Sequence, residues 1–165
     1  MSFSGQWSVA SGQWRTHAEQ SAAAVQLLGR LLGFDPVVEH DSQGAPYLPE
    51  RPDLHVSISH CRTAVAVAVS CESPIGIDIE CRRRVSDGLM ARVCTPEELD
   101  AILRSDDPVM TFLRYWTRKE AVLKCRGTGI RGFGSMMDAL RDPAVEVREI
   151  ETNIPDVVAA VAMNV

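Results

Sequence analysis

The chain predicts an α+β fold of two similar halves, each a helix packed on a small antiparallel sheet. Two observations carry that reading. A helix-period stripe near the N-terminus is followed by two strand-like runs, and the succession of helix, loop, strand and strand recurs after residue 74. With 165 residues, 45% of them hydrophobic, the chain can bury a real core as one compact unit. The halves are read as 1–73 and 74–165.

In the first half, Val25, Leu28, Leu31 and Leu32 make one stripe of a helix over 18–32, which Gly33 can end. A loop rich in Gly and Pro leads to strands over 54–59 and 63–70, the second alternating valine with alanine. In the second half, Ile75, Ile77 and Ile79 alternate with Gly76, Asp78 and Glu80, so a strand buries the isoleucines and sets both carboxylates on its other face. A polar stretch, Cys81 to Ser86, precedes a helix for which Thr95 is the N-cap and Pro96 the first residue. A longer helix over 109–126 follows Pro108, and strands are expected over 145–150 and 156–163. Gly127, Gly129, Gly132 and Gly134 read as a helix exit and turn: the run lacks the Gly-Lys-Ser/Thr ending of a phosphate loop and follows a helix instead of opening one.

The carboxylates of Asp78 and Glu80 would stand ~6.5 Å apart by backbone rise. Like charges that close on a half-buried surface raise a pKa unless a cation lies between them, and all-oxygen ligation suits magnesium. A third carboxylate is then expected nearby. Glu120 and Lys124 lie one helical turn apart and share a face. On spacing alone they read equally well as an exposed ion pair worth about 0.3–0.5 kcal/mol, and Asp78 with Glu80 as the wet face of a sheet.

Net charge of −5 argues against nucleic acid as the main partner. Apolar runs such as Ala64 to Val69 are far too short for a membrane span, and Met1 to Ser11 has no basic residue, so a soluble, cytoplasmic protein is expected. The five cysteines, Cys61, Cys71, Cys81, Cys94 and Cys125, lack Cys-x-x-Cys spacing and read as reduced structural thiols. Arg82, Arg83 and Arg84, with Arg114, Arg118, Arg126 and Arg131, read either as solvated charge or as a basic rim that steers phosphates and acidic proteins.

Three segments in order, His55-Val56-Ser57-Ile58-Ser59-His60, Ile75-Gly76-Ile77-Asp78-Ile79-Glu80 and Trp116-Thr117-Arg118-Lys119-Glu120-Ala121-Val122-Leu123-Lys124, resemble the motifs of the 4'-phosphopantetheinyl transferases. The lead-in Gly44-Ala45-Pro46-Tyr47-Leu48-Pro49 is similar too, although Ala45 stands where a basic residue is usual. The motif order resembles the longer type, similar to the enzyme that activates surfactin synthetase, which behaves as two fused copies.

The resemblance implies a pseudodimer and a magnesium- or manganese-dependent enzyme. It would move the phosphopantetheine arm of coenzyme A to a serine of an apo acyl, peptidyl or polyketide carrier protein, with a leaning towards secondary metabolism. Asp78, Glu80 and Glu120 would hold the metal, Glu120 would take the serine proton, and Lys124 would contact the diphosphate. Ser59 and His60 would contact the nucleotide, His60 near the 3'-phosphate, and Lys119 would assist Lys124 in binding coenzyme A, although a structural role reads equally well. The first half would then supply coenzyme A contacts and the second the metal site and catalytic helix, in a monomer. The segment ahead of residue 18 is short for the family, so an N-terminal edge strand is expected to be missing. Competing readings are a coenzyme A or carrier-binding protein without activity, and a metal-dependent nucleotide diphosphate hydrolase.

Overall fold

The computed structural model describes residues 4–128 and 134–165. Gly129, Arg131 and Gly132, part of the glycine-rich exit and of the basic rim, lie outside the described residues. The chain is mixed α and β, built on two three-stranded antiparallel sheets.

The first sheet has the order β1 (Gln6–Ser11), β5 (Ala64–Ser70), β4 (His55–Cys61), and the helix α1 (His17–Leu32) covers it. Thr16 caps α1 by accepting from the Glu19 amide at 3.1 Å, and Gly33 ends it in the left-handed conformation at φ 80. Strand β1 corrects the expectation that an N-terminal edge strand is missing: all six of its residues pair with β5. Its Trp7 and Val9 pack inward, an alternation short enough to escape notice between polar neighbours. A two-stranded ribbon, β2 (Glu39–His40) with β3 (Pro46–Tyr47), lies in the loop before β4.

The second sheet has the order β6 (Ile75–Cys81), β8 (Val157–Asn164), β7 (Val145–Ile150), covered by a long helix, α4 (Pro108–Arg126). Between β6 and α4 stand α2 (Asp87–Val93), which the sequence reading did not anticipate, and α3 (Pro96–Arg104). Thr95 and Glu98 form a reciprocal capping box at the start of α3. Asp107 caps α4, Pro108 takes its first position, and Gly127 ends it at φ 67. A short helix, α5 (Gly134–Met137), and a 3-10 turn at Ala139–Arg141 precede β7. Both sheets thus run strand, helix, strand, strand, with the first strand of each set paired to the last.

Alternation in the strands sorts the layers. The valines of β5, Val65, Val67 and Val69, pack on Ala24, Leu27 and Leu28 of α1. Its alanines, Ala64, Ala66 and Ala68, pack on Ile75, Ile77 and Ile79 of β6, where small side chains let the two sheets approach. The other face of β6 meets α4. A Cβ on Gly76 would come within 2.0 Å of the Ala121 carbonyl oxygen, so only glycine permits this approach of helix backbone to strand. The edge strands β4 and β6 are joined by side chains: the Ile77 amide donates to Ser57 Oγ at 3.0 Å and the Ile79 amide to Ser59 Oγ at 3.2 Å. Both serines are buried, and their hydroxyls satisfy backbone donors that would otherwise be lost at a sheet edge.

Candidate active site

The close contact at Gly76 fixes which side chains of α4 face β6. Lys124 extends along the strand, its Nζ donating to the Ile77 carbonyl at 3.0 Å and to Asp78 Oδ1 at 2.8 Å. Ser59 Oγ donates to the same Asp78 oxygen at 3.0 Å. Asp78 is only 7% exposed, and its other oxygen, Oδ2, is buried without a hydrogen-bond partner among the described residues. An orphaned carboxylate oxygen in a buried position is costly and marks a place where a positive ligand would be welcome.

Glu120, 8% exposed, has its carboxyl pushed up to about 7. Burial is the first cause and the charge of Asp78 the next; Lys124 pulls the other way, and Glu80 adds a smaller push. The charges of Asp78 and Glu80 thus both reach Glu120. The three acids do not form a closed set of ligands: among the described residues no three His, Cys, Asp or Glu side chains are gathered as a ready cation site. Glu80 is engaged with Arg83, whose Nε and Nη2 stand 3.2 and 3.3 Å from its oxygens, and the Arg83 guanidinium lies 5.6 Å from the centre of the Trp116 ring. Hard, all-oxygen donors, mutual repulsion at Glu120 and the orphan Asp78 Oδ2 fit a divalent cation such as magnesium.

His60 sits at the other end of the cleft. Its Nε2 is 3.2 Å from Nε2 of His17 at the start of α1, the rings meeting edge to face. Burial first, then the neighbouring His17 and Lys124, hold the His60 imidazole below its ordinary pKa. A cavity of about 500 Å³ opens on His17, Ser21, His40 and His60, and a second of about 310 Å³ opens on Gln43, Glu120 and Lys124. The two share Gly44, Pro46 and Ile58 in their walls, so the histidine pair and the acid–lysine cluster lie along one depression.

Two expectations change. Lys119 points away from the cleft. Its Nζ is wholly buried and donates to the Val93 carbonyl at 2.6 Å, Glu98 Oε2 at 2.6 Å and the Met137 carbonyl at 3.1 Å, which resolves its open role towards structure. Neighbouring helical positions diverge by about 100°, so Lys119 and Glu120 face different neighbours of α4. The arginine rim is also largely neutralised. Arg82 pairs with Asp107 and Asp156, Arg114 and Arg118 with Glu149, and Arg126 with Asp142, acids distant in sequence that local reading does not reveal. Ser59 is committed within the protein, to Asp78 and the Ile79 amide. Missed by sequence reasoning were His17, Ser57, Arg83 in its pairing with Glu80, and Glu98; of these only Glu98 had a legible signal, as the partner of a Thr N-cap. Among the described residues no helix is long and apolar enough to cross a membrane.

The family model of the 4'-phosphopantetheinyl transferase superfamily matches residues 74–159. The chain is similar to the 4'-phosphopantetheinyl transferase HetI of Nostoc sp., 36% identical over 114 residues that cover 63% of this chain and 48% of the relative. It is similar to a putative 4'-phosphopantetheinyl transferase of Haemophilus influenzae, 34% identical over 110 residues (64% of this chain, 47% of the relative). A third relative is the 4'-phosphopantetheinyl transferase Sfp of Bacillus subtilis, 35% identical over 89 residues (53% of this chain, 39% of the relative). The chain thus spans about half the length of these curated relatives, or less.

Proposed function

The chain belongs to the 4'-phosphopantetheinyl transferase superfamily, and on that premise we propose that it moves the 4'-phosphopantetheine arm of coenzyme A to a serine hydroxyl of an apo carrier protein, releasing adenosine 3',5'-bisphosphate. The observation that carries the reading is the orphaned oxygen of Asp78, whose other oxygen Lys124 holds, next to a raised Glu120 carboxyl, with Glu120 and Lys124 lining a depression whose walls are shared with the cavity at His60. Asp78, Glu80 and Glu120 would hold magnesium or manganese, Glu80 turning from Arg83 to do so. When bound, the ion supplies positive charge to the diphosphate of coenzyme A and to the leaving bisphosphate.

The remaining work belongs to side chains. A serine hydroxyl is a weak nucleophile at neutral pH, so a carboxylate must take its proton, directly or through water, and Glu120, buried beside Lys124 and Asp78, is our candidate for that general base. Lys124 donates to diphosphate oxygens, exchanging its contact with Asp78 for one with substrate. His60, its pKa lowered by burial and then by His17 and Lys124, offers a ring N–H to the nucleotide end. Ser59 keeps Asp78 oriented and reaches the nucleotide only secondarily. Residues 1–73 then serve mainly nucleotide binding and 74–165 the chemistry, within one chain and without a second copy. The carriers fitting this chemistry are acyl, peptidyl and polyketide carriers, including those of secondary metabolism, in the cytoplasm.

The test incubates the full chain with magnesium, coenzyme A and several apo carrier proteins and reads carrier mass. Addition of the phosphopantetheine arm, lost in Asp78→Ala and Glu120→Gln, supports transfer. Bisphosphate released while carriers stay unmodified means hydrolysis, and binding of coenzyme A without either product means a protein that lacks catalysis.

A further inference from the structure

Two of the five free thiols meet where the sheets adjoin. The register that sets Ser57 beside Ile77 and Ser59 beside Ile79 reaches, one step further, Cys61 at the end of β4 and Cys81 at the end of β6. There the two side chains share one apolar cluster, with Cys81 a near neighbour of the Cys61 thiol. Cys61 is buried and Cys81 partly exposed, so Cys81 is the more accessible of the two. That is the arrangement of an attacked thiol with a resolving partner. Cys125, by contrast, donates to the Pro74 carbonyl at 3.3 Å.

We propose that Cys61 and Cys81 are an oxidisable pair, closed by hydrogen peroxide or a low-molecular-weight disulfide into a bond that ties β4 to β6. With peroxide, the Cys81 sulfur takes one oxygen to become a sulfenic acid and the first water leaves. The Cys61 sulfur then attacks the Cys81 sulfur, the S–S bond forms, and the hydroxyl departs as a second water with the Cys61 proton. The two thiols give up two hydrogens and two electrons, and the peroxide takes them up. With a small disulfide, the same electrons leave as two small thiols. The bond falls one residue after His60 and one after Glu80, so it clasps the strand ends that carry both sides of the cleft. It closes a loop of about 20 residues, enough to raise the unfolding midpoint by roughly 5–10 °C.

The experiment uses the full chain with Cys71→Ser, which removes the exposed thiol from competition. After exposure to oxidised glutathione or peroxide, the free thiols are alkylated and the protein is mapped by mass. Expected are a Cys61–Cys81 linked peptide, an intact mass lower by two hydrogens before alkylation, two fewer alkylated thiols and a higher midpoint, all reversed by dithiothreitol. The added Cys81→Ser change, at the partly exposed position, should abolish closure and the midpoint shift while the protein stays folded. Oxidation confined to Cys81 with Cys61 still alkylatable overturns the proposal, as does a closed bond that leaves the midpoint unchanged or lowers it.

Discussion

Glu120 shows how one residue can be expensive for the fold and useful to the site. Its carboxyl titrates at about 7 in the folded chain against an ordinary 4.5, so between those pH values the folded protein holds a proton that the unfolded chain has released. Stability therefore falls as pH rises through that window. Above it, the charged carboxylate beside Asp78 and Glu80 costs on the order of 3 kcal/mol at about 1.4 kcal/mol per unit. Glu120→Gln removes that charge. In metal-free buffer the variant should melt several degrees above the parent at pH 8, the gap closing as pH falls towards 4.5. Thermal melts across pH, with chelator present, measure it; a gap that does not depend on pH would show that burial and Asp78 do not act on Glu120 as described.

At the scale of elements, α4 does two jobs with adjacent residues. Glu120 and Lys124 meet β6, while Lys119 binds the end of α2 through the Val93 carbonyl, α3 through Glu98, and the end of α5 through the Met137 carbonyl. Glu98, whose side chain is 13% exposed, also accepts from the Thr95 amide in the capping box, so one carboxylate serves both a helix start and a buried ion pair. Lys119→Met leaves that carboxylate without its cation, a loss of about 3–5 kcal/mol. Urea unfolding should show it. At temperatures where the variant is folded, its KM for coenzyme A should match the parent's, whereas a KM that rises many-fold would return Lys119 to the substrate.

What the sequence made legible follows from range. Helix caps at Thr95 and Gly33, the alternation of β6 and the turn relating Glu120 to Lys124 are local, and they stand as read. The direction of Lys119, the partners of the arginines and the edge strand at Gln6–Ser11 depend on residues far along the chain, and no local period encodes them.

For the molecule as a whole, cohesion between the sheets rests on apolar packing and on a few buried hydroxyls. Ser57 Oγ accepts from the Ile77 amide at 3.0 Å, and Ser57→Ala would leave that buried donor without its acceptor at a cost of about 1–3 kcal/mol. Hydrogen exchange at Ile77 should speed up while amides within α1 keep their protection; uniform loosening of the chain would argue that the serine is incidental to the join. The two sheets share a chain order, yet β1 has no acidic side chain and β6 has two. The acidic pair therefore sits on one sheet alone. Because both sheets belong to one polypeptide, the join between them forms at a rate set by the chain and not by its concentration.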